Sequence, residues 1–94
     1  MSGENTKRYC RRSDMVGADL GDEMAVLDMR SGSYLGFNAT AAHVWRLLEQ
    51  PQTAESLCDS LRSEFAVNED RCRAAVDRLL DQFKAKGWVT ASDA

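Results

Sequence analysis

A single histidine, His43, and three cysteines with no C-x-x-C spacing leave this chain without the donor set of an ordinary zinc site. The odd cysteine count also excludes a simple disulfide framework. No stretch approaches the roughly 20 apolar residues that a membrane helix needs. No apolar block follows the basic N-terminus either, so neither a membrane span nor a signal peptide is expected, and the cytosol is the default compartment. A glycine-rich phosphate loop is missing too: "GSYLG" has neither the spacing nor the lysine. The carboxylates are scattered over helix surfaces, and His43 has no local nucleophile or orienting group to make it a general base. Chemistry is therefore not expected, no cofactor or metal is implied, and binding is the expected role.

What the chain does have is a 94-residue length that suits one domain with a modest core, and a 44% apolar content typical of a soluble fold. The formal net charge is -3. Residues 1–14 carry +2 and the remainder -5. An acidic body is poor electrostatics for DNA, where affinity comes largely from neutralising phosphates.

Residues 1–13, "MSGENTKRYCRRS", lack periodicity and are expected to form a flexible basic tail, with Cys10 exposed in it. Residues 14–90 then hold the domain. "MVGADL" and "EMAVLDM" read as two strands joined at Gly21-Asp22, the chemistry of a two-residue hairpin turn. Both parities of the second run are apolar, which suits a middle strand covered on both faces. "RSG" turns the chain into a third strand, Ser33, Tyr34, Leu35, Gly36 and Phe37, with Leu35 and Phe37 sharing one face.

The period then becomes helical. Asn38 caps a first helix with Ala41, Val44, Trp45 and Leu48 inward. Thr53 caps a second, with a stripe of Leu57, Cys58, Leu61 and Phe65. Asn68 caps a third and longest helix that buries Cys72, Val76, Leu79, Leu80 and Phe83 and stops at Gly87. Cys58 and Cys72 read as small buried hydrophobes. Trp88 and Val89 are expected to pack on the core or add a short strand. The fold class is α+β: a three-stranded antiparallel meander followed by three helices.

A flank of the third helix combines small residues with long donors: Arg71, Ala74, Ala75, Arg78, Gln82 and Ala85. Its plain reading is a solvated face, with alanine present for helix propensity. The third strand raises another possibility. It ends the meander, has one unpaired edge, and carries neither the proline nor the inward charge that usually protects such edges. Placed beside the third helix, that edge and the arginine–alanine flank would form a groove for an extended peptide.

The segments "VLDMRSGSYLGFNATAAHVWRLL" and "TAESLCDSLRSEFAVNEDRCRAAVDRLLDQFKAKGWV" resemble the PqqD-like family, the leader-peptide recognition domains of ribosomally made, post-translationally modified peptide pathways. The resemblance rests on Phe37-Asn38, on Ala41, Ala42 and Trp45, on a Leu-rich second helix, and on Gly87-Trp88-Val89. It implies a winged helix-turn-helix-like fold, and a precursor's leader bound as a strand beside Ser33–Phe37 and against Arg71, Ala74, Ala75, Arg78 and Gln82. It also implies a second partner, a modifying enzyme such as a leader peptidase or radical enzyme. Two departures stand out. Glu49-Gln50-Pro51 replaces the acidic-glycine pair common after helix one, and Arg30-Ser31-Gly32 replaces the Pro-Glu-Gly turn of the quinone-pathway members. The second points to a lasso-type or related pathway. The competing readings are a winged-helix DNA-binding regulator, in which helices two and three form a helix-turn-helix, and a homodimer through paired edges.

Overall fold

The computed structural model describes residues 7–93. Eight elements follow in order: β1 (Lys7–Arg11), β2 (Met15–Leu20), β3 (Glu23–Asp28), β4 (Tyr34–Phe37), α1 (Ala39–Leu47), α2 (Ala54–Glu64), α3 (Glu69–Ala85) and β5 (Val89–Asp93). β2, β3 and β4 form an antiparallel meander in chain order. Leu20 pairs with Glu23, which leaves Gly21-Asp22 as the two-residue turn, with Gly21 at φ +72°. The expected three strands and three helices are therefore present in the expected order.

Local sequence chemistry sets each helix start. The Asn38 side chain accepts from the Ala41 amide at 2.9 Å, and the Asn68 side chain accepts from the Arg71 amide at 2.8 Å. Thr53 and Ser56 form a reciprocal capping box, each side chain accepting from the other's backbone N–H at 3.0 Å. α3 ends before Gly87, whose φ of +73° only glycine adopts cheaply.

Met24, Val26 and Phe37 of the sheet, the stripes of all three helices, and Trp88 and Val89 form one buried cluster. At its centre Phe37, Trp45, Phe83 and Trp88 touch one another, with ring centroids 5.3–6.4 Å apart. Such pairs add about 0.5–1.5 kcal/mol each beyond their buried area.

Three expectations are corrected. Lys7–Arg11 is a strand, not a loose tail; the expectation for residues 1–6 lies outside the described residues. β1 pairs antiparallel with β5, from Lys7↔Asp93 to Arg11↔Val89. It has no apolar alternation because contacts distant in the chain hold it. The Tyr9 amide and carbonyl bond those of Gln52 at 2.7 and 2.9 Å, and the Arg11 amide donates to the Leu48 carbonyl at 2.9 Å. The Arg11 guanidinium lies 5.5 Å from the centre of the Trp45 ring and donates to the Trp45 carbonyl. Cys10, in the same strand, is half-buried, not exposed. Lastly, β3 is not covered equally on both faces. Met24, Val26 and Asp28 point into the core, whereas Ala25 and Leu27 on the other face are only half-buried, because all three helices pack on one side of the meander.

Asp28 is the one buried charged residue among those described. Its carboxylate accepts from Arg12 at 2.8 Å, from the Arg30 amide at 2.9 Å and from the Trp88 indole at 3.0 Å. Burial pushes its pKa up, but the Arg30 amide, the Arg12 guanidinium and the Trp88 N–H outweigh it and hold the pKa down at about 2. The network ties β3, the β1–β2 connection and the end of α3 together.

Candidate peptide-binding groove

β4 is the last strand of its sheet, and among the described residues no strand pairs with its outer edge. The register shows which groups that edge presents. The Asp28 amide donates to the Ser33 carbonyl at 2.8 Å, in line with the pairs Val26↔Leu35 and Met24↔Phe37. Hydrogen-bonded and non-bonded pairs alternate along an antiparallel ladder. Residues 33, 35 and 37 therefore turn their backbone groups toward β3. Tyr34 and Gly36 turn theirs toward the open edge.

Packing brings α3 beside that edge. Phe37 of β4 and Phe83 of α3 meet with ring centroids 5.5 Å apart. Between the two elements lies a groove of about 600 Å³, lined by Leu35, Gly36, Phe37, Asn38, Ala41, Leu79, Gln82, Phe83, Ala85, Lys86 and Trp88. Three members of the aromatic cluster, Phe37, Phe83 and Trp88, line it. Leu35 lies on the same sheet face as Val26 and Phe37, yet it stays 44% exposed. Among the described residues no helix covers it, so the core face of the sheet continues into solvent as one wall of the groove. Lys86 crosses the rim, with its ammonium 5.4 Å from the centre of the Trp88 ring.

Of the residues singled out from the sequence, Leu35, Gly36, Phe37, Gln82 and the flank residue Ala85 line this groove. Tyr34 begins the strand, 75% exposed, and Ser33 sits just before it. Arg71 and Ala75 instead line a separate hollow of about 210 Å³ near the start of α3, with Phe65 and Val67. Ala74 and Arg78 are exposed and line neither. Sequence reasoning missed Leu79 and Lys86 as groove residues. Their spacing with Gln82 and Phe83, at three and four residues, was the available signal.

His43 is half-buried, its Nε2 2.9 Å from the Ser60 hydroxyl and its ring edge-on to Phe65. Among the described residues no carboxylate bonds it, so it reads as a helix-packing residue. Among the described residues no group of three or more His, Cys, Asp or Glu could hold a metal ion, and no helix is long and apolar enough to cross a membrane.

The sequence profile of the family described as coenzyme PQQ synthesis protein D (PqqD) matches residues 23–89. The chain belongs to the PqqD family. The matched span runs from the start of β3 through β4 and all three helices to Val89, so it contains every residue of the groove. No curated protein sequence matches the chain. Two solved structures are similar to this PqqD-family chain. One, TbiB1 in complex with the TbiA(beta) leader peptide, is 24% identical with a TM-score of 0.76, covering 85% of this chain and 93% of that one. The other, lasso peptide synthetase B1 complexed with the leader peptide, is 26% identical with a TM-score of 0.74, covering 87% of this chain and 96% of that one.

Proposed function

We propose that this PqqD-family chain is a non-catalytic recognition module. It binds the leader segment of a ribosomally made precursor peptide as a fourth strand on β4 and presents it to a modifying enzyme. The observation that carries this reading is the open backbone of Tyr34 and Gly36 beside an apolar groove. Main-chain hydrogen bonds supply affinity in such a mode, and alternate side chains of the guest supply specificity. One set of leader side chains enters the groove over Phe37, Leu79 and Phe83, which selects apolar residues. Lys86 at the rim favours an acidic neighbour.

That the two similar structures each hold a leader peptide supports this reading. It also supports a lasso-type or related pathway. The DNA-binding alternative is disfavoured by Asp70, Asp77 and Asp81, all exposed along the helix that would enter the groove of DNA.

The test is a pair of anisotropy titrations, one with a labelled leader of the cognate precursor and one with labelled duplex DNA. Saturable leader binding with no DNA binding at low micromolar protein is expected. Salt-dependent DNA binding without leader binding would reverse the assignment.

A further inference from the structure

The β2–β3–β4 sheet has a second face, opposite the core, and among the described residues no helix packs on it. The register stacks Val16, Leu27 and Tyr34 in one row across the three strands, and Ala18, Ala25 and Gly36 in the next. Val16 is 52% exposed and Tyr34 75%, and Leu20 at the hairpin end is 62% exposed. Contiguous apolar surface of this kind marks an interaction site. The small middle row keeps the surface flat. Asp22 and Glu23 border it at the β2–β3 turn, and neither has an ion-pair partner among the described residues.

Size helps decide the occupant. Three strands spaced about 4.8 Å apart and about 20 Å long offer a footprint of roughly 300 Å². A stable protein pair buries about 800 Å² on each partner. The face alone is therefore too small for a lasting complex with any protein, a second copy of this chain included, so its occupant must also use adjoining surface. It is, however, continuous with the β4 edge. A leader strand added there widens the same sheet by a fourth ribbon, and half of the leader's side chains then stand beside Tyr34 and Gly36 on this outer face.

We infer that this outer face docks the enzyme that processes the precursor, and that the bound leader completes the docking surface. The inference rests on the leader-binding reading, which supplies both the enzyme as occupant and the leader's share of the surface. The partner surface would be apolar at its centre, with a cation toward Asp22 and Glu23. Because part of the contact comes from the leader, the enzyme engages a loaded recognition module more tightly than an empty one.

The experiment uses the full chain, its leader peptide and the enzyme encoded beside the precursor gene. A Val16→Lys/Leu20→Lys double variant alters two exposed residues remote from the groove. Calorimetric titration should find leader affinity within twofold of the parent and enzyme affinity at least tenfold weaker. In the parent, saturating leader should tighten enzyme binding at least threefold. Equal enzyme affinity of parent and double variant overturns the docking surface. Enzyme affinity indifferent to leader overturns the completion. Sedimentation showing a parent dimer that the double variant dissolves assigns the face to a second copy and overturns the inference. If the leader alone fails to bind, the proposed function falls, while the leader-free enzyme titration still decides the docking surface.

Discussion

Replacing Gly36 by proline isolates the backbone contact on which strand addition depends. The Gly36 amide faces the open edge, not β3, so proline there removes no hydrogen bond of the meander. Gly36 does not lie in the positive-φ region, and among the described residues an added Cβ meets nothing within 4 Å. The residue before it, Leu35, is already extended, as a residue preceding proline should be. The fold should therefore survive. The guest strand, by contrast, loses the donor for one carbonyl, worth about 0.5–1.5 kcal/mol. The pyrrolidine ring also stands where that carbonyl oxygen would approach to about 2.9 Å, which pushes the guest outward and weakens the neighbouring bond at Tyr34. Together these cost about 2 kcal/mol, roughly a thirtyfold loss of leader affinity. Gly36→Ala keeps the amide and should bind within about twofold of the parent. Isothermal titration with the leader peptide, paired with thermal melts by circular dichroism, reads both quantities. A folded Gly36→Pro variant with parental affinity refutes the reasoning.

Leu79→Ala removes apolar contact at the centre of the groove and should weaken the leader by about 1–2 kcal/mol, whereas Arg78→Glu, off the groove wall, should change affinity less than about threefold. A larger loss at Arg78, measured in the same titration, extends the site along α3. Asp28 has a folded pKa of about 2, below the ordinary carboxylate value of 3.8. Its contribution to stability is thus complete above about pH 4 and is lost as the pH falls toward 2. Melting temperatures at pH 7, 4 and 2.5 should show Asp28→Asn less stable than the parent at pH 7, with the gap closing in acid. A constant gap removes Asp28 from the acid response. Burial, and then the neighbouring Cys72, pushes the Cys58 thiol up to about 11. About one molecule in a thousand then carries a thiolate there at pH 8, so iodoacetamide should label Cys58 only after unfolding. Peptide mass mapping of native and denatured samples checks this.

Much of the fold is legible in the sequence because its signals are local. Asn38, Thr53 and Asn68 each bond an amide of the helix that they start, and Gly21 and Gly87 take the positive φ that their turns require. β1 is not legible, because "KRYCR" becomes a strand only through Gln52, Leu48 and β5, all distant in the chain. The buried role of Asp28 depends in the same way on Arg12 and Trp88.

The groove is half legible. Its strand wall follows from the order of the meander. Its helix wall depends on how α3 is rotated about its own axis, and amphipathicity alone does not fix that angle. The sequence assigns Leu79 to the core and gives the wall to Arg71, Ala74, Ala75, Arg78 and Gln82, of which Gln82 lines the groove. The structure turns Leu79, Gln82, Phe83 and Lys86 toward β4. The difference is one flank of a helix, and it arises because a core residue at the margin can also line a groove.

Amide hydrogen exchange at Tyr34 and Gly36, followed by NMR with and without saturating leader, tests strand addition most directly. Slowing at both residues by at least about a hundredfold, with Leu35 already protected in the free protein, is the expected pattern. Leader binding that leaves both amides exchanging at their free rates contradicts it.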